Sequence, residues 1–220
     1  MNLKAIIIGT ALAATAGYSF TPSDNLTRHC KEPVLFEKEN LCFISQYSST
    51  IKQEAQEYNL PPELIAAILY QENNHRIKAQ DWADYTSSRI NRFHSAGPGQ
   101  IYTTTAARLD NVPSITASDV ETYYYQLNKP EQAIRYVAQE LAYLQHTTNS
   151  DLTTLAGIDL LASEYRTGHR PTPQINNHGY DVLIILRRPN VYNALGIEFA
   201  KSQRQHIQNY LNSTQKERVE

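Results

Sequence analysis

Glu72 closes a run of apolar residues, Leu64, Ile65, Ala66, Ala67, Ile68 and Leu69, and that placement gives it chemical interest. On a helix, positions 64, 68 and 72 form one i, i+4 row and 65, 69 and 72 a neighbouring one, so the carboxylate extends the apolar stripe. Facing inward at the last turn, it would lose hydration and meet the negative end of the helix dipole. Both effects disfavour the ionised form and raise its pKa. A carboxylic acid still protonated near neutral pH can hand a proton to a leaving oxygen, which is what cleavage of a glycoside requires. The same row admits a plainer outcome: helix ends fray, Asn73, Asn74 and His75 are polar, and the carboxylate reaches water.

Glycoside cleavage normally employs two carboxyl groups about 5 to 9.5 Å apart. Asp81 and Asp84 are the available candidates for a second acid, against the ordinary alternative of solvated loop aspartates. Trp82, Tyr102 and the run Tyr123, Tyr124, Tyr125 offer ring faces on which sugars could stack. Three consecutive tyrosines on a helix point in different directions, so packing is the role of most of them. His75 and His94 bracket the segment between motifs and read as loop histidines. No CxxC, HExxH or zinc-type His and Cys spacing occurs, so neither a metal nor a cofactor is expected. The absence of GxSxG removes the local signature of a serine hydrolase.

The elements that must position Glu72 read as helices nearly throughout. Apolar spacing and cap residues predict helices over 49–58, 63–73, 103–109, 120–127, 131–145, 152–165, 180–186 and 197–211. Asn59 and Leu60 break the first, and Pro61 and Pro62 suit the opening turn of the second, where a missing N–H costs nothing. That second helix is apolar nearly all round, the mark of a helix buried in the middle of a domain. A chain of 220 residues with 20 basic and 22 acidic side chains, net charge −2, fits one globular domain. The balance argues against a nucleic-acid partner, which asks for a basic excess. Residues 1–16 resemble a secretory signal peptide: Lys4, an apolar run over 5–13, then Ala14-Thr15-Ala16 as a small-x-small cleavage site. The run is too short to span a bilayer, so no stable membrane anchor is expected after cleavage. In an oxidising compartment Cys30 and Cys42 would form a disulfide that pins the N-terminal segment 17–48, ahead of a catalytic domain over 49–211 and a charged tail over 212–220.

Four ordered motifs resemble the soluble lytic transglycosylases, part of the goose-type lysozyme group. Tyr58-Asn59-Leu60-Pro61-Pro62-Glu63-Leu64-Ile65-Ala66-Ala67-Ile68, leading into Glu72, is similar to that family's opening helix, which ends in its catalytic glutamate. Gly97-Pro98-Gly99-Gln100-Ile101 followed by Thr105-Ala106 is similar to its Gly-x-x-Gln segment. Pro130-Glu131-Gln132-Ala133-Ile134-Arg135 looks like its Pro-Glu-x-x-Ile helix, and Ala162-Ser163-Glu164-Tyr165-Arg166-Thr167-Gly168 like its Ala-Tyr-Asn-x-Gly loop. Departures stand at Asn73 for the family's usual Ser, at Gly99 for Met, and at Arg166 for Asn.

The resemblance implies a mainly α, lysozyme-like helical domain with a substrate cleft, exported to the periplasm or secreted. It implies peptidoglycan strands as substrate, with Glu72 first protonating the oxygen between N-acetylmuramic acid and N-acetylglucosamine and then, as a base, taking a proton from the muramoyl 6-hydroxyl. By the same carry-over the Tyr165 hydroxyl would bond the Glu72 carboxylate, and Gly97, Gly99, Gln100, Ile101 and Tyr102 would line the sugar site. Such domains often accompany a secretion machine, a pilus or a phage. Two alternatives stay open: a lysozyme using water positioned by Asp81 or Asp84, and a secreted glycan-binding or assembly protein of the same fold without turnover.

Overall fold

Pro62, Pro130 and Pro189 each open a helix, since a fixed φ and a missing N–H are harmless in a first turn. The computed structural model describes residues 36–74, 95–168 and 172–215. In chain order these form α1 (Phe36–Gln46), α2 (Ser48–Glu57), α3 (Pro62–Asn74), β1 (Ser95–Ala96), β2 (Ile101–Tyr102), α4 (Thr103–Leu109), α5 (Ala117–Leu127) and α6 (Pro130–Thr148). They continue with α7 (Leu155–Thr167), α8 (Asn177–Leu186), α9 (Pro189–Leu195) and α10 (Lys201–Thr214). The described chain is thus mainly helical, with one short antiparallel pair joining Ser95 to Tyr102 and Ala96 to Ile101.

Local chemistry explains most boundaries. After α2, Asn59 adopts the left-handed conformation at φ 52°, and the Leu60 N–H donates to the Ala55 carbonyl at 2.8 Å, which closes the helix end. Asn149 does the same for α6 at φ 53°. Thr116 and Asp119 form a reciprocal capping box ahead of α5, where the Asp119 carboxylate accepts from the Thr116 N–H at 2.8 Å. The Thr116 hydroxyl, which donates to the same Asp119 oxygen at 2.6 Å, and then this N–H hold the Asp119 carboxyl below its usual range.

Helix α3 occupies the centre. Leu64, Ile65, Ala66, Ala67 and Ile68 are all fully buried, and α1, α2, α6, α8 and α9 pack around them. Two of those neighbours are not among the helices read from the sequence. Within the 17–48 segment α1 buries Leu41 and Ile44, and the seven-residue α9 buries Val191, Tyr192, Ala194 and Leu195. The helix expected over 197–211 begins later, at Lys201, although Ile207 and Leu211 face the core as their spacing implies.

Candidate active site

At the end of α3 the Glu72 side chain turns inward and is 2% exposed. Frayed, solvated geometry is therefore not what this helix end adopts. Burial pushes the carboxyl up from 4.5 to about 7, against a smaller lowering by the Arg166 cation. Arg166 Nη1, from the last turn of α7, lies 3.5 Å from Glu72 Oε2, and His178 Nε2, from the first turn of α8, lies 3.3 Å from Oε1. The arginine side chain is 58% exposed and the histidine 9%, so one partner reaches water while the other is enclosed. Oε1 accepts no well-aligned hydrogen bond among the described residues.

The two partners are held in register by the link between α7 and α8. Asn176 caps α8 by accepting the His178 N–H at 2.8 Å. It is itself tied to α7: its own N–H donates to Ser163 Oγ at 2.9 Å and its amide to the Ser163 carbonyl at 3.0 Å. The buried Glu164 carboxylate accepts the Gln174 N–H at 3.0 Å on the same connection. Gly179 lets the helices touch, since a β-carbon there would stand 2.3 Å from the Asp159 carbonyl oxygen and 2.4 Å from Ser163 Oγ. Across the other interface Gln71 donates to Asp181 of α8 at 3.3 Å, and Asn73 donates to Asn40 of α1 at 2.6 Å. Asn73 thus anchors the end of α3 to the N-terminal helix.

Tyr165 departs from expectation. Its hydroxyl donates to the Gly99 carbonyl at 2.7 Å and not to Glu72, so it fastens the glycine turn to α7. The phenol is pushed well above its usual range by burial and by the charges of Glu72 and Glu140, and stays protonated as that bond requires. The turn itself explains its glycines. Gly97 sits at φ 70° with a β-carbon position 1.7 Å from the Leu127 carbonyl oxygen, and a β-carbon on Gly99 would meet Val137 at 2.4 Å. Gln100, expected to line the sugar site, makes two contacts inside the turn: its amide donates to the Gly97 carbonyl at 2.9 Å and accepts from Ser95 at 3.0 Å. Ile101 is buried in the core, whereas Tyr102 is 46% exposed. Of the three consecutive tyrosines only Tyr125 is exposed.

Asp81, Asp84, Trp82, His75 and His94 lie outside the described residues, as do residues 1–16 and the end of the charged tail. Cys42, on α1, is disulfide-bonded, and Cys30, the other cysteine of the sequence, lies outside the described residues. Among the described residues no group of three or more His, Cys, Asp or Glu is arranged to hold a metal ion, and no helix is long and apolar enough to cross a membrane. A surface hollow of about 450 Å³ on α4 and the loop after it includes none of the candidate site residues. Sequence reasoning missed Arg166 and His178 as partners of the acid: the one stood out only as a departure from a motif, and the other carried no local signal. No protein-family model, no curated protein and no solved structure matches the chain.

Proposed function

We propose that the protein is a lysozyme-like peptidoglycan lytic transglycosylase, exported to the periplasm or secreted, with Glu72 as its acid and then its base. The observation that carries this reading is the Glu72 carboxyl, buried at the end of a central helix and pushed to about 7, so that a large fraction holds its proton near neutrality. General acid catalysis works best with an acid poised near the working pH. The order of the four motifs supports the choice of substrate. In the proposed reaction Glu72 protonates the oxygen leaving N-acetylmuramic acid as the β-1,4 bond breaks. The carboxylate so formed takes the proton of the muramoyl 6-hydroxyl, whose oxygen closes on the anomeric carbon to give a 1,6-anhydro end without water. Tyr102, 46% exposed on the hairpin, offers a ring face on which a sugar could stack.

Arg166 favours a second reading, a glycan-binding or assembly protein without turnover. A cation 3.5 Å from the acid stabilises the ionised form that a general acid must avoid. Mass spectrometry of purified peptidoglycan digested by the protein, with Glu72→Gln in parallel, separates the readings. Anhydro-muropeptides are expected from the native protein, with the rate falling on the order of 100-fold or more in the variant. Reducing ends would indicate a lysozyme using water, with Asp81 or Asp84 as its second acid. Binding without products from the folded protein would favour the second reading.

A further inference from the structure

Of the two groups beside the Glu72 carboxyl, the Arg166 side chain is 58% exposed and that of His178 9%. The imidazole is enclosed, its Nε2 is 3.3 Å from Oε1, and that buried oxygen makes no well-aligned hydrogen bond among the described residues. Its position is also built with care. The backbone N–H of His178 is held by the Asn176 cap, the cap is held by Ser163, and Gly179 permits the close approach of α8 to α7. Two helices are thereby locked so that one presents a cation to Oε2 and the other an imidazole to Oε1.

We propose that His178 is a positioning residue for Glu72: through the oxygen that Arg166 does not contact, it fixes the carboxyl's orientation and shares its last proton, so that the two side chains titrate as one unit. The groups facing the carboxyl are Arg166 and the Tyr165 phenol from α7 and His178 from α8. Among the described residues α1, α2, α6 and α9 place no ion pair against it. The protein can hold one proton either on the acid or on the imidazole, and a unit with two such places loses its last proton at higher pH than the acid would alone. The catalytic consequence rests on the assignment of Glu72 as the acid. The pair as a unit keeps its proton to a higher pH than the acid would alone, while the share of that proton resting on the imidazole is withdrawn from the acid.

Two measurements test this on the full chain. Imidazole resonances followed by NMR against pH are expected to titrate at lower pH in Glu72→Gln than in the native protein, by on the order of one unit. In muropeptide release, His178→Gln is expected to lower kcat, leave KM near its native value and move the alkaline limb of the pH profile to lower pH. His178→Ala, without a group to reach Oε1, is expected to lose more kcat than His178→Gln. An imidazole titration indifferent to Glu72→Gln overturns the pairing, whether or not the protein turns over. A His178→Gln profile reduced in height but unmoved along the pH axis reduces His178 to a packing role and also overturns it. Full turnover in Glu72→Gln would instead sink the assignment of the acid, and the NMR arm would still decide the pairing.

Discussion

At Glu72, burial raises the carboxyl's affinity for its proton while the Arg166 guanidinium lowers it, and burial wins. The folded protein therefore holds a proton that the unfolded chain releases at about 4.5. Below that pH both states are protonated and nothing is lost. As pH rises from there through about 7 the folded state alone keeps the proton, so stability declines with pH, and above about 7 the decline is complete. At about 1.4 kcal/mol per pH unit the difference is about 3 kcal/mol. Glu72→Gln, which has no proton to release, is accordingly expected to be more stable than the native protein at pH 8 by up to about 3 kcal/mol, with the gap closing by pH 4.5. Urea unfolding at the two pH values measures it. Equal midpoints at pH 8 would mean that the carboxyl is not desolvated. Residues of this kind are only half legible in a sequence. The helical row of positions 64, 68 and 72 implied an inward carboxylate, but its partners come from 94 residues away and beyond, where no periodicity points.

The spacing of α7 and α8 is set by a hydrogen atom at position 179. A methyl group there would meet the Asp159 carbonyl and the Ser163 hydroxyl, and the backbone of a packed helix gives little. Gly179→Ala is expected to cost about 1 to 3 kcal/mol, as overpacking does, measured as a lower denaturant midpoint. An unchanged midpoint would show that the two helices part at no cost. Several elements were readable from short-range chemistry: Pro130 opens α6 one residue before the expected 131–145, although the helix runs on to Thr148, and α4 covers the residues its pattern predicted. The missed elements lack such punctuation. In α1, Glu37, Lys38, Glu39 and Asn40 interrupt the apolar spacing, and α9 is too short to show a period. The hairpin has two-residue strands, and its glycines read as ligand-approach residues when their crowding comes from Leu127 and Val137, neighbours that no local pattern reveals.

On the scale of the whole molecule, the N-terminal helix is fastened twice. Leu41 and Ile44 enter the core, and Asn40 receives the Asn73 amide one residue beyond Glu72. The disulfide at Cys42 adds a covalent tether to the same helix. Removing it with Cys42→Ser, or with reductant, is expected to lower the unfolding free energy by about 2 to 4 kcal/mol, read from denaturation curves with and without reductant. Curves that superimpose would show that packing alone secures α1. In that arrangement the order of the chain matters. The walls around α3 come from α1 and α2 before it and from α6, α8 and α9 after it. During synthesis residue 72 emerges long before residue 177, and until α8 arrives the carboxyl is expected to stand in water with ordinary acidity. A nascent or truncated chain therefore carries the glutamate without its retained proton, and that property belongs only to the completed protein.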